Sequence, residues 1–180
     1  MKKQRSIIAG ILLVFAFGIA HAQNDSNAIK KLAQTIRSHK NLEVSFTYQT
    51  LGDNSDSEEA KKGIAYFQDG AYKVIMEDQH AISDGKTTWH YIVEEEEVMV
   101  GQATDDDNPY TVLDDLERDG SGVTPVLDKK GELKQLEIEV DEGVKLLLNI
   151  TELKFDQDFP KGFFAFDEKA YPDVEIIDMR

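Results

Sequence analysis

From residue 42 onward, apolar and polar side chains alternate. Leu42, Val44, Phe46 and Tyr48 take turns with Glu43, Ser45, Thr47 and Gln49, the period-two pattern of a strand with one face buried. Ahead of this strand the period is different. Ile29, Leu32, Ala33 and Ile36 stand at i, i+3, i+4 and i+7, with Asp25 and Ser26 available as caps, and the spacing predicts one amphipathic helix over 24–38. Residues 52–59 (GDNSDSEE) are polar and turn-rich and predict a loop. Short strands are then predicted at 63–68, 71–76, 79–83, 87–93 and 97–102, punctuated by Asp69-Gly70 and Asp84-Gly85. That dipeptide suits a two-residue hairpin turn, which needs positive φ, so these segments should form an antiparallel meander.

The alternation breaks at 103–108 (ATDDDN), and Pro109 opens a short predicted helix over 109–116 that Gly120-Ser121-Gly122 ends. Strand patterning resumes at 123–128, 133–140 and 144–150, with Lys130-Gly131 and Glu142-Gly143 as the turns. The tail adds Leu153 and Phe155, then strand-like stretches at 163–166 and 174–177. About ten strands and two helices exclude a helical bundle and a parallel α/β sheet. The pattern predicts a mainly β (α+β) fold built on a single curved antiparallel sheet. A sheet of so many strands curls toward a barrel, and its concave face must be filled by side chains, a helix or a ligand. Two modest helices cannot seal so large a face, which leaves room for a hydrophobic cavity able to take an acyl chain. No solenoid repeat and no dividing linker is present, so residues 23–180 are expected to form a single domain.

Charge narrows the partners. The chain of 180 residues carries 35 acidic against 20 basic side chains, a net −15. That field repels nucleic acid, and it works against docking on anionic lipid. The first residues read as an address. Lys2, Lys3 and Arg5 precede an uncharged apolar run over 7–19, and Ala20-His21-Ala22 has the small-x-small form of a cleavage site. A signal peptide over 1–22, cut before Gln23, is predicted rather than a membrane anchor, which needs about 20 apolar residues. Its removal takes the net charge from −15 to about −18. With no cysteine there is neither a disulfide framework nor an acylated cysteine tether. The expected product is exported to a bacterial periplasm, without stable membrane insertion.

Familiar catalytic patterns are missing. There is no G-x-S-x-G elbow, no phosphate-binding glycine loop and no dinucleotide fingerprint. His39, His80 and His90 are not in an H-E-x-x-H frame, and their separations give no local metal-ligand pattern. Asp53, Ser55, Ser57 and Glu59 alternate oxygens but lack the glycine that lets a calcium loop turn sharply. Glu94–Glu97 and 105–107 fit solvated turns. No enzyme activity, no cofactor and no metal is expected. What the chain has in excess is large apolar side chains on strands, among them Phe67, Tyr72, Trp89, Leu147, Phe163 and Phe164.

The segment Ala81-Ile82-Ser83-Asp84-Gly85-Lys86-Thr87-Thr88-Trp89-His90-Tyr91 resembles the "I-V-S-D-G-K-x-x-W-x-Y" hairpin of the LolA family, the periplasmic carriers of outer-membrane lipoproteins. The order around it is similar to the family's. Lys62-Gly63-Ile64-Ala65-Tyr66-Phe67 stands in the place of its second strand, Asn108-Pro109-Tyr110 with Leu113 and Leu116 in that of its mid-chain helix. Phe164-Ala165-Phe166-Asp167 and Tyr171-Pro172-Asp173-Val174-Glu175-Ile176-Ile177-Asp178 stand in that of its C-terminal strands. The resemblance implies an unclosed β-barrel whose hollow, covered by a helical lid, holds the acyl chains of a lipoprotein without covalent attachment. It also implies two partners, an inner-membrane exporter and an outer-membrane acceptor, and a monomeric carrier. On that basis the cavity wall would be drawn from Val44, Phe46, Tyr48, Tyr66, Val74, Met76, Trp89, Tyr91, Leu146 and Leu148. The lid would be drawn from Ile29, Leu32, Ile36, Leu113 and Leu116. Carriage or sensing of another lipid or glycolipid on the same fold is the alternative. The chain departs from the family at one point. Its arginines are Arg5, Arg37, Arg118 and Arg180, none on the early strands where the well-studied carriers place the arginine that holds their lid shut.

Overall fold

The alternating stretch after residue 41 becomes the long strand β1 (Asn41–Leu51), from which the sheet grows in both directions. A computed structural model describes residues 30, 33–51, 59–108, 123–129, 133–141 and 144–180. On one side of β1 lie β2 (Lys61–Gln68), β3 (Ala71–Met76), β4 (Gln79–Ser83), β5 (Thr87–Ile92) and β6 (Glu97–Gln102), each antiparallel to the last. On the other side lie β9 (Val144–Phe155), β8 (Leu133–Asp141) and β7 (Val123–Leu127). The final strand, β10 (Glu175–Asp178), joins the far edge beside β6, giving a ten-stranded sheet in the order β10-β6-β5-β4-β3-β2-β1-β9-β8-β7. Among the described residues β7 and β10 are its two edges, and the sheet is not closed into a barrel.

The turns explain the meander. Asp69 (φ 50°) and Gly70 (φ 82°) both take the left-handed conformation, as a two-residue turn matched to the right-handed strand twist requires. The hairpin between β4 and β5 differs from expectation by one position. Its turn is centred on Gly85-Lys86: Asp84 N–H donates to Thr87 O at 3.3 Å, and only Gly85 (φ 84°) has positive φ. Asp84 serves as the anchor instead, its carboxylate Oδ1 accepting from Lys86 N–H (2.9 Å) and Thr87 N–H (2.8 Å). An aspartate is suited to that role because its short side chain reaches its own backbone two residues on.

Three further differences have physical causes. Leu153 and Phe155 extend β9 rather than forming a separate strand, because β1 pairs with β9 as far as Leu42↔Phe155, past a register shift at Ser45/Phe46. Residues 163–166 are not a strand. Gly162 (φ 82°) and the turn bonds Phe163 N–H to Pro160 O (3.1 Å) and Ala165 N–H to Gly162 O (3.1 Å) fold them into turns. And β10 runs parallel to β6, not antiparallel. The chain from 156 to 174 crosses the sheet before entering the edge, and a crossover of that length permits parallel pairing. Of the helix predicted over 24–38, the described residues 30 and 33–37 are helical. The leader over 1–22 and the helix over 109–116 lie outside the described residues; the chain approaches the latter through a short 3-10 turn, Asp105–Asp107. No helix among the described residues is long and apolar enough to cross a membrane.

Candidate functional site

Side chains directly opposite one another in neighbouring strands project to the same face, so the registers divide the sheet into two surfaces. One row runs Val44–Ala65–Val74–Ala81–His90–Met99 across β1 to β6. On the same face Phe46 meets Gly63 and then Met76, while Tyr48 meets Leu148 and then Leu136 on β8. A parallel row on the other face runs Glu43–Tyr66–Lys73–Ile82–Trp89–Val100.

The two faces are covered differently. The first carries a continuous apolar cluster, Leu42, Val44, Phe46, Tyr48, Ala65, Phe67, Tyr72, Val74, Met76, Ala81, Leu136, Ile138, Leu146 and Leu148, all buried. From the helical residues Ala33 is part of it and Ile36 packs against it. Phe46 is seated by its neighbour: a Cβ on Gly63 would run into the Phe46 ring, so only glycine leaves room for it. At one end of this face the buried Tyr48 hydroxyl donates to Asp78 Oδ1 at 3.0 Å and accepts from Glu77 N–H at 3.3 Å. Burial, with Asp78 beside it, raises the Tyr48 pKa well above the usual phenol value, so this hydroxyl stays protonated.

The second face is crossed by the chain between β9 and β10. Phe159, Phe163 and Phe164 pack edge-to-face or stacked with one another and around Tyr66, with ring centroids 4.7–5.6 Å apart. Lys73 Nζ lies 5.0 Å from the centre of the Phe163 ring. Farther along, Phe166 and Tyr171 stack at 5.2 Å and close over Tyr91, with His80 at its edge. With Ile82, Val98 and Val100 they form a second apolar cluster. The crossing segment is fixed at its start. The buried Asn41 amide donates to Gln157 O (2.6 Å) and Gln68 Oε1 (3.3 Å) and accepts from Gln157 N–H (2.8 Å). His39 Nδ1 meets Asp156 Oδ2 at 2.7 Å, and its ring stacks on Phe155 at 4.2 Å.

The sequence-predicted wall therefore falls on both faces. Val44, Phe46, Tyr48, Val74, Met76, Leu146 and Leu148 come together in the first cluster. Tyr66 is on the second face under Phe159 and Phe163, Tyr91 lies in the second cluster, and the half-buried Trp89 packs against it. Leu136, Ile138, Ala65, Phe67, Tyr72 and Ala81 belong to the first face and were not in the predicted wall. Of the predicted lid, Ile36 packs on the first cluster; Ile29, Leu32, Leu113 and Leu116 lie outside the described residues. Among the described residues, no group of three or more metal-ligating side chains could hold an ion.

No protein-family model matches the chain, and no curated protein matches it. Solved structures similar to it include an uncharacterized conserved protein from Thermus thermophilus (11% identity, TM-score 0.49, covering 87% of this chain and 98% of that one). A DUF1329 family protein from Desulfovibrio piger aligns with 10% identity and a TM-score of 0.47, over 82% of this chain and 97% of its own. A LolA superfamily protein from Nitrosomonas europaea aligns with 9% identity and a TM-score of 0.43, over 81% and 99% respectively. At this identity the likeness concerns the course of the chain and extends to no residue's role.

Proposed function

We propose that the chain is an exported carrier, without enzymatic activity, that holds the acyl chains of lipoproteins reversibly on the first face of its sheet and moves them from the inner to the outer membrane. The observation that carries this reading is the asymmetry of the faces. The second face is already occupied by the chain's own aromatic crossing segment. The first carries the larger apolar cluster, continuous over β8, β9 and β1 to β4, and a helical stretch bearing Ala33 and Ile36 packs on it. In this reading that stretch is part of a lid. Acyl chains displacing it would gain roughly 25 cal/mol for each Å² of apolar surface they bury, with lid movement setting release. The predicted leader supports export, and the net −15 supports a shuttle that stays off anionic membranes until a partner receives it. An inner-membrane exporter and an outer-membrane acceptor would be those partners, and the carrier a monomer in a periplasm.

A second reading, carriage or sensing of a different lipid or glycolipid, is favoured by one feature: among the described residues the arginines are Arg37, on the helical stretch, and Arg180, at the terminus, so none stands on the strands of the first face. Purification of the protein from a bacterial envelope, followed by solvent extraction and mass spectrometry, separates the two. Acylated peptide in the extract is the expected result. Free lipid alone favours the second reading, and a chain that yields no lipid and rejects a fluorescent fatty acid contradicts both.

A further inference from the structure

The first face changes character along its length. From β1 to β4 the members of its central row, Val44, Ala65, Val74 and Ala81, are at most 4% exposed. The next members, His90 on β5 and Met99 on β6, are only half-buried, and Ile177, beside Met99 on β10, is 37% exposed. Polarity rises over the same distance. On β4, β5 and β6 this face carries Gln79, Thr88, His90 and Glu97 among Ile92, Met99 and Gly101. None of its positions on these three strands is a lysine or an arginine.

Two of the polar groups are joined. His90 Nε2 lies 3.1 Å from Gln79 Oε1. With the amide oxygen facing the ring, Nε2 carries the proton, leaving Nδ1 as an acceptor and the Gln79 amide nitrogen as a donor. Burial pushes the His90 pKa down to about 4, so at neutral pH the imidazole is uncharged. The open end of the face thus offers uncharged donors and acceptors beside one carboxylate, on a chain of net −15.

We propose that Gln79, Thr88 and His90 form a shelf that receives the uncharged, hydrogen-bonding head of an acyl ligand, a glycerol ester or amide, while its chain lies along the apolar row toward β1. This assignment rests on the carrier reading and specifies what that carrier prefers. An ionised carboxylate head would meet no lysine or arginine on β4, β5 or β6 and would approach Glu97, while Lys61, on the same face of β2, is held 3.9 Å from Asp78. A hydroxyl or amide head can both donate to Nδ1 of His90 and accept from Gln79.

The test uses the full chain and two ligands of equal chain length, 1-lauroylglycerol and laurate, each displacing a bound fluorescent fatty acid at pH 7.5. Wild type should prefer lauroylglycerol by about tenfold, the equivalent of one or two net hydrogen bonds. Because the uncharged ligand is also the more apolar, the variants decide the matter. His90→Leu and Gln79→Leu should each cut the preference to about threefold or less by weakening lauroylglycerol alone, with urea unfolding confirming that both are folded. Equal affinities in wild type, or an unchanged preference in both variants, overturns the shelf and leaves the carrier intact. Failure of both ligands and of the fluorescent acid to bind overturns the carrier reading and the shelf with it.

Discussion

His90 gives a stability prediction with a definite sign. It lies between Ala81 and Met99 on the first face, half-buried, and burial lowers its pKa from 6.5 to about 4. The unfolded chain takes up a proton as the pH falls through 6.5, whereas the folded chain resists until about 4. A group whose folded pKa is depressed in this way costs the folded state nothing above 6.5. It then destabilises progressively as the pH falls, reaching its full cost below both values. At about 1.4 kcal/mol per pK unit the full cost is roughly 3 kcal/mol, and nearer 2 kcal/mol after allowing for the solvent that still reaches the ring. Urea unfolding of wild type and of His90→Leu at a series of pH values from 7.5 to 4.5 measures it. The carboxylates and the other histidines titrate in both proteins and cancel in the difference. Wild type should lose about 2 kcal/mol more than the variant over this range, most of it below pH 6. Parallel curves would show that His90 is solvated, and would remove the ground for an uncharged shelf.

Two other perturbations probe how the faces are built. Gly63→Ala should cost about 1–3 kcal/mol in urea unfolding, because its Cβ would run into the Phe46 ring. Combining it with Phe46→Leu should cost less than the sum of the two single changes, and strict additivity would show that the ring does not rest on the glycine. Asn41→Ala should cost about 1–2 kcal/mol, since it leaves part-buried backbone groups at Gln157 without their partners. Hydrogen exchange should then quicken along 156–174 before it quickens in β2 and β3; uniform quickening would show that the crossing segment is not separately anchored.

Much of this architecture is legible in the chain. β3, β4 and β6 begin and end where the alternation predicts. The facing of the strands is legible too, though not from alternation, which sets phase only within a strand. The turn lengths carry it. The turns Asp69-Gly70, Glu77-Asp78 and Gly85-Lys86 each pair an even-numbered residue with an odd-numbered one, as in Phe67↔Tyr72, Val74↔Ala81 and Ala81↔His90. Even positions on β3 and β5 therefore share a face with odd positions on β2 and β4. Val74 and Met76 go with Ala65, whereas Tyr66 goes with Lys73, and Trp89 with Ile82. Placing Tyr66, Trp89 and Tyr91 on one wall with Val74 and Met76 ignores that parity. The crossing segment has no such cue. Phe163, Phe164 and Phe166 look like a strand, but the turn around Gly162 and long-range packing against Tyr66 and Tyr91 make them a cover for the second face.

The central claim is that acyl chains occupy the first face and not the second, and a photoactivatable fatty acid tests it most directly. After irradiation with the full chain and proteolysis, mass spectrometry locates the labelled residues. Adducts are expected on first-face side chains such as Phe46, Tyr48, Met76, Leu146 and Leu148, and none on Trp89, Phe163 or Tyr171. Labelling concentrated on those three aromatic residues, with the first face untouched, would contradict it.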